Sequence, residues 1–427
     1  MIKKFINLSK NTFIYSVANV INSAIPIFLI PILTRYLSPS SYGKLSMFQV
    51  LIAVFIPIIG MSTNGAIGVK YFKLTNAEYS KFVTSCIYLI YASFFIILSL
   101  IVGFSNIIYE YTQIIIEFQV LALLTVFFQV IINILLVDFQ VKSKVFKYGY
   151  LIIANTLVNI VISIILVVFL SYDWIGRVFG QFISVFIFGF LSIVLLARNK
   201  VFIGKFFFNY IKSAFKFGIV LIPNYVMGVF SVMLGRIIIN NEISLEETGL
   251  YTLGYQIASL LLILFTSFNL AFSPWLFEKL KLENKSTKIN IVRFTYIIFI
   301  VLLIIPFIYE QIIDYFYPLI VSKDFNGAKL YVFWISFGFI FNSMHMLVVN
   351  YIFYVEKVYF VTLITVPSLI LNYFLTLYFI EIFGGIGAAY SQSITSFVSF
   401  LGVWLISTKV YKMPWFSSSV FLRHKNI

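Results

Sequence analysis

Between Ile114 and Val137 the chain reads IIIEFQVLALLTVFFQVIINILLV, a run interrupted by a single charge, Glu117. Coiled as a helix at 1.5 Å per residue it rises about 36 Å, enough to cross the roughly 30 Å hydrocarbon core of a bilayer. Its apolar residues are continuous rather than alternating, which argues against a ten-residue barrel strand. Working outward, the same test finds runs at approximately 12–34, 45–69, 82–105, 149–170, 174–197, 216–239, 250–274, 291–309, 329–353, 358–380 and 385–407. The sequence predicts an all-α membrane protein of about 12 transmembrane helices.

Composition agrees. The chain is 61% hydrophobic and 11% charged, against roughly half and a quarter in soluble domains. Aromatic residues at 19% suit belts at two headgroup layers. The formal charge of +15 would suit nucleic acid only on a folded soluble surface, and no such domain is visible, so no nucleic-acid partner is expected. One cysteine, Cys86, and two histidines support neither a disulfide nor a His/Cys metal cluster, and no cofactor is expected. Residues 1–10 are basic and precede an apolar run that continues through Ile32 without a small-residue cleavage site, which reads as an uncleaved first span. No connection exceeds about 20 residues, too short for a soluble catalytic domain, so activity is expected among the helices.

Lysine and arginine collect on one side. Only Arg35, Lys44, Arg177, Arg236, Lys323 and Lys329 fall on the other, where most acidic residues lie. The positive-inside rule then places both termini in the cytoplasm, and contact with an anionic leaflet accounts for the charge.

The chain also repeats itself. Lys144-Val145-Phe146 precedes Asn159 by the same spacing by which Lys357-Val358-Tyr359 precedes Asn372. Gly176 and Gln181 match Gly387 and Gln392, and the span heads Tyr42-Gly43-Lys44-Leu45 and Thr248-Gly249-Leu250-Tyr251 correspond more weakly. Two halves of six spans follow: 1–197 and 217–407, joined by a cytoplasmic linker 198–216 and followed by a cytoplasmic tail 408–427. An even number of spans makes the repeats parallel, related by a pseudo-two-fold along the membrane normal, with a site expected between them near mid-membrane.

Three stretches, Thr34-Arg35-Tyr36-Leu37-Ser38-Pro39-Ser40-Ser41-Tyr42-Gly43, Lys70-Tyr71-Phe72 and Phe383-Gly384-Gly385-Ile386-Gly387-Ala388-Ala389-Tyr390-Ser391-Gln392, carry a family resemblance. The chain resembles the O-antigen and oligosaccharide flippases (Wzx type) of the multidrug/oligosaccharidyl-lipid/polysaccharide exporter superfamily. Members often carry an Asp before the Arg late in span seven, where this chain has Gly235 before Arg236. The resemblance implies a MATE-like fold of two six-helix bundles around an alternately opening cleft. Its implied cargo is undecaprenyl-pyrophosphate-linked oligosaccharide moving from the cytoplasmic to the periplasmic leaflet. Other polysaccharide-assembly membrane proteins are possible partners beside the cargo and the bilayer.

A pyrophosphate calls for cations, and Arg35 and Arg236 each end the first span of a half, so pseudo-symmetry would set them across the cleft. An arginine at a helix end also snorkels to the interface. Lys70 closes span two where cargo would be collected. Asn22, Asn64, Asn224 and Asn269, with Asn19, Asn342 and Asn372, offer amides to sugar hydroxyls or to neighbouring helices. Asp138 is the choice for ion coupling. A drug or cation exporter would want a carboxylate deep in a span, and Asp138, Asp314 and Glu381 all sit near ends. A membrane enzyme of polysaccharide assembly would want a long loop or buried acid-base groups, and a purely structural partner would not need duplicated halves.

Overall fold

The computed structural model describes residues 28–282 and 284–421, and the side chains of these except Val220, Asn224, Ser419 and Phe421. The described residues are helical with short connections. The helices are α1 (28–36), α2 (Pro39–Gly60), α3 (Thr63–Tyr71), α4 (Asn76–Thr112), α5 (Ile116–Val141) and α6 (Val145–Ile164), the last extended by a π turn over Ile165–Phe169. There follow α7 (Asp173–Arg198), α8 (Phe208–Glu242), α9 (Leu245–Leu280), α10 (Lys285–Ile320), α11 (Lys329–Tyr354), α12 (Tyr359–Phe383), α13 (Ile386–Val410) and the short α14 (Ser418–Phe421). Among the described residues eleven segments are long and apolar enough to cross a membrane, one for each expected run from 45–69 onward. Most of the expected first span, 12–34, lies outside the described residues.

Local chemistry sets the helix ends. Ser38 caps α2, its Oγ accepting from the Ser41 N–H at 3.1 Å, with Pro39 in the first helical position. Thr75 and Glu78 form a reciprocal capping box at the head of α4. Helices α9 and α10, at 36 residues each, rise about 54 Å and therefore outreach the hydrocarbon core, while the 37 residues of α4 are kinked at Phe104. Hydropathy reads only their apolar middles, which is why the run 291–309 becomes a helix of nearly twice its length.

The run 45–69 is broken. Met61 and Ser62 stand in the left-handed region with φ of 44° and 51°, and the chain restarts as α3. The break is satisfied locally: the Met61 N–H donates to the Pro57 carbonyl at 3.1 Å, and Thr63 Oγ1 donates to the Gly60 carbonyl at 2.7 Å. Helix α8 lies against it, for a Cβ on Gly218 would fall 2.2 Å from the Met61 carbonyl oxygen.

Two compact units divide the chain, Met1–Gly249 and Leu250–Ile427. The first takes in α8, which packs on α2, α3 and α4, whereas the sequence starts its second half at 217. The expected linker 198–216 is non-helical only over 199–207. There it is sewn to α4: the Ile203 N–H donates to Thr84 Oγ1 at 3.1 Å, and the Tyr88 hydroxyl donates to the Gly204 carbonyl at 3.0 Å. In the second unit the described residues after α13, 411–421, pack on α10. Trp415 is 1% exposed, its carbonyl accepts from Tyr296 Oη at 2.8 Å, and the Val420 carbonyl accepts from Arg293 Nε at 2.7 Å.

Between helices in lipid, close approach and polar bonds supply the cohesion that water supplies elsewhere. Both units use the same device. In the α6–α7 hairpin a Cβ on Gly176 would meet the Leu166 backbone at 2.9 Å, and in the α12–α13 hairpin a Cβ on Gly387 would meet the Phe379 backbone at 2.2 Å. Leu166 and Phe379 stand at the same distance along the chain from Asn159 and Asn372. Within the first unit the heads of α2 and α9 cross at two glycines. A Cβ on Gly43 would stand 1.9 Å from the Leu245 carbonyl oxygen, and a Cβ on Gly249 would stand 2.0 Å from that of Pro39. Each glycine faces the residue one turn before the other, so the contact is reciprocal.

Candidate functional site

The break between α2 and α3 directs attention to what α3 carries, because discontinuous membrane helices free backbone groups and line sites. Asn64, in its first turn, has a buried Oδ1 without a hydrogen-bond partner among the described residues. At its other end Lys70 faces a cavity of about 270 Å³ formed with Ala66 and Val69 of α3, Phe82 of α4 and Ser213, Lys216 and Phe217 of α8. Lys70 Nζ sits 5.9 Å above the Phe82 ring, a cation–π contact that holds the ammonium at the pocket edge. Two lysines and a serine hydroxyl around one small cavity make an anion site in chemical terms. Of its polar lining the sequence pointed to Lys70 alone. Lys216 and Ser213 lay in the expected linker and became legible only when that stretch joined α8 and packed on α3 and α4.

Asp138 lies in the last turn of α5. It is fully buried, accepts from Tyr79 Oη at 3.1 Å and pairs with Lys142 at 2.5 Å. Lys142 also lies 5.5 Å from the Tyr79 ring centroid. The carboxylate is thus already compensated through Oδ1, while Oδ2 is buried without a partner among the described residues.

The two arginines have different surroundings. Arg35 is exposed at the end of α1. Arg236 is 6% exposed on α8, with Nη1 donating to Met233 Sδ at 3.0 Å. One turn on, Asn240 Nδ2 donates to the Tyr111 carbonyl at 3.0 Å and ties α8 to the end of α4. Both arginines belong to the first unit. In the second unit Asn269 Oδ1 accepts from Asn350 Nδ2 at 3.1 Å, the helix-to-helix role that any such amide can play. Asn22 and Asn19, and the side chain of Asn224, lie outside the described residues. Asn372 donates to Ser391 Oγ and Thr395 Oγ1, each at 3.3 Å, and His345 Nδ1 shares a hydrogen with Ser399 Oγ at 3.2 Å.

Arg177, read from sequence only as an outlying charge, is 8% exposed and donates through Nη1 to Asn159 Oδ1 at 2.7 Å and Ser163 Oγ at 3.1 Å. The duplicated asparagines therefore serve matched hairpins with different partners: a guanidinium and the Ser163 hydroxyl in the first, two hydroxyls in the second. Ala388 follows Gly387 where Arg177 follows Gly176, so the buried cation breaks the repeat.

Comparison with known proteins agrees with this architecture. A Haemophilus influenzae uncharacterized membrane protein is 27% identical over 358 residues, 82% of this chain and 85% of its own length. A second protein of that organism, Lsg locus putative protein 1, is 25% identical over 393 residues, 89% of this chain and 94% of its own. Among solved structures, the lipid II flippase MurJ in an inward closed conformation superposes with a TM-score of 0.70 at 15% identity, covering 94% of this chain and 87% of that one. An inward-facing multidrug resistance MATE family transporter gives 0.70 at 13% identity over 93% and 95%. The fold is therefore MATE-like. The polysaccharide biosynthesis protein family matches residues 8–281, well over half of the chain, and to that family this multi-pass membrane protein belongs.

Proposed function

We propose that the chain is a flippase for polyprenyl-pyrophosphate-linked oligosaccharide, an O-antigen or similar repeat unit, carried from the cytoplasmic to the periplasmic leaflet of a bacterial inner membrane by alternating access. The observation that carries this reading is the Lys70–Ser213–Lys216 pocket beside a broken membrane helix, in a chain of the polysaccharide biosynthesis family. The likeness to a lipid II flippase supports it further. Each sugar hydroxyl costs on the order of 4–8 kcal/mol to bring into hydrocarbon without a partner, and a pyrophosphate costs more. A protein that offers cations and amides to the headgroup while the prenyl chain stays in lipid removes most of that barrier. In this reading the pocket receives phosphate at the cytoplasmic end, Asn64 meets a hydroxyl through its unpartnered oxygen, and Arg35 and Arg236 serve the headgroup further out. Both termini are cytoplasmic, and Asp138 is the position proposed for ion coupling. A cation exporter is disfavoured because the charge of Asp138 is already met by Lys142.

The test is a strain lacking the protein, scored for lipid-linked oligosaccharide on the cytoplasmic leaflet. Accumulation is expected, with rescue by wild type and failure of a Lys70→Gln/Lys216→Gln double variant present at normal level. Rescue by that variant removes the pocket from the mechanism. An unchanged leaflet distribution in the deleted strain rejects the flippase.

A further inference from the structure

In the second unit the final turns of α9 and the first turns of α10 border an open groove of about 710 Å³. Its walls are rings. Phe268 stacks on Phe272 at 5.8 Å, Phe272 lies 5.6 Å from Trp275, and Trp275 meets Phe294 of α10 edge-on at 5.6 Å. Phe268, Trp275 and Phe294 are 40%, 36% and 42% exposed. The polar lining comes from Lys279 at the end of α9 and from Thr287 and Asn290 on α10. Lys279 and Thr287 flank the α9–α10 connection, and from Phe268 to Lys279 α9 rises about 16 Å. Pro274 inside α9 lacks the N–H that would bond the Leu270 carbonyl, so that carbonyl has no helical partner there. A long apolar trough with a cation and two neutral hydrogen-bonding side chains toward one end has the polarity of a single-chain lipid phosphate.

Lipid tails are as apolar as the groove, so burial in it gains nothing from water. An occupant is selected by van der Waals fit to the rings and by the anchor at the polar end. A polyisoprenoid chain, whose double bonds are planar and whose freedom is lower than that of a saturated chain, loses less entropy on rigid aromatic walls. We propose that this groove is a waiting site for a prenyl phosphate, with its chain along Phe268, Phe272, Trp275 and Phe294 and its phosphate at Lys279. The proposal rests on the lipid-linked substrate reading and adds where the chain is gripped, apart from the Lys70 pocket. Binding here does not require the saccharide.

The test uses the full chain in phosphatidylcholine nanodiscs, irradiated with decaprenyl monophosphate bearing a diazirine on its phosphate-proximal isoprene, with labelled peptides mapped by mass spectrometry. Label is expected on residues 268–279 and 287–294. Unlabelled decaprenyl phosphate should displace it at about one tenth the concentration of dioleoyl phosphatidic acid, a difference of about 1.4 kcal/mol. Lys279→Gln and Trp275→Leu should each lower labelling about tenfold, and Lys279→Arg should restore it. Lys279 is only half-buried, so its variants keep the test decisive if Trp275→Leu fails to fold. Label spread evenly over lipid-facing helices, equal displacement by phosphatidic acid, or protection of the groove by a second copy of the chain overturns the proposal. The two readings fail separately. Leaflet transfer by wild type without groove labelling sinks only the groove, and groove labelling in a chain whose deletion leaves the leaflets unchanged sinks only the flippase.

Discussion

The crossing of α2 and α9 makes a sharp prediction because both sides of it are backbone. A methyl group at Gly43 would lie 1.9 Å from the Leu245 carbonyl oxygen and 2.8 Å from its carbon. No side-chain rotation relieves such a clash, so the two helix heads must part by about 1.5 Å to restore an ordinary contact, an overpacking cost of roughly 1–3 kcal/mol. Gly43→Ala is therefore expected to destabilise this arrangement about 5- to 150-fold. Gly249→Ala, whose methyl would lie 2.0 Å from the Pro39 carbonyl oxygen, is expected to do the same. Because one methyl already separates the heads, the second meets less resistance, and the double variant should cost clearly less than the sum of the singles. Hydrogen exchange of the backbone amides at 39–46 and 245–251 reads the opening, and thermal unfolding in detergent reads its cost. Gly68→Ala and Gly228→Ala are the controls: nothing lies within 4 Å of a Cβ at either, and in helices alanine should gain up to about 1 kcal/mol over glycine. Additive losses at Gly43 and Gly249, or exchange no faster than in the controls, would refute the reciprocal contact.

Other positions give separate expectations. Arg177→Ala removes the charged donor shared by Asn159 Oδ1 and Ser163 Oγ in the α6–α7 hairpin and leaves them only the 3.3 Å bond that Ser163 Oγ donates to Asn159 Oδ1. A loss of about 1–3 kcal/mol is expected on unfolding in detergent, and Arg177→Met/Asn159→Leu should recover part of it. Asp138→Asn removes a buried partner of a lysine whose side chain is 23% exposed. Lys142 can turn to water, so the cost should stay below the roughly 3–5 kcal/mol of a fully buried pair. If Asp138 couples transport to an ion, leaflet transfer by Asp138→Asn should fall further than its folded fraction does, and equal falls would leave it a structural ion pair. Trp415→Ala should cost about 3–5 kcal/mol and release the segment after α13, which limited proteolysis beyond Val410 would detect.

How much of this was legible beforehand depended on whether a feature is local. Length and apolarity report on single helices, so each run from 45–69 onward found its helix in order. Glycine at a crossing is nearly as legible, because close backbone approach leaves room for little else. Gly43 and Gly249 appeared in the sequence as a weak correspondence between span heads, and the structure gives that correspondence a physical cause. The break inside the run 45–69 had no such signal. Gly60 is the residue a reader would have chosen for a left-handed turn, yet the two left-handed residues are Met61 and Ser62, conformations that cost side-chain-bearing residues about 1–2 kcal/mol each. Local hydrogen bonds satisfy the break, and α8, arriving from beyond residue 208, sets Gly218 against the Met61 carbonyl. The same arrival brings Lys216 and Ser213 to Lys70. Broken helix and cationic pocket thus share one packing partner, α8. A change at Gly218 should therefore disturb both together, and Gly218→Ala, with its methyl 2.2 Å from the Met61 carbonyl oxygen, is expected to weaken anion binding at Lys70 without touching either lysine. Pyrophosphate protection of the Lys70 and Lys216 amines from acylation measures that binding, and protection equal to wild type in a folded Gly218→Ala chain would show that pocket and break are independent.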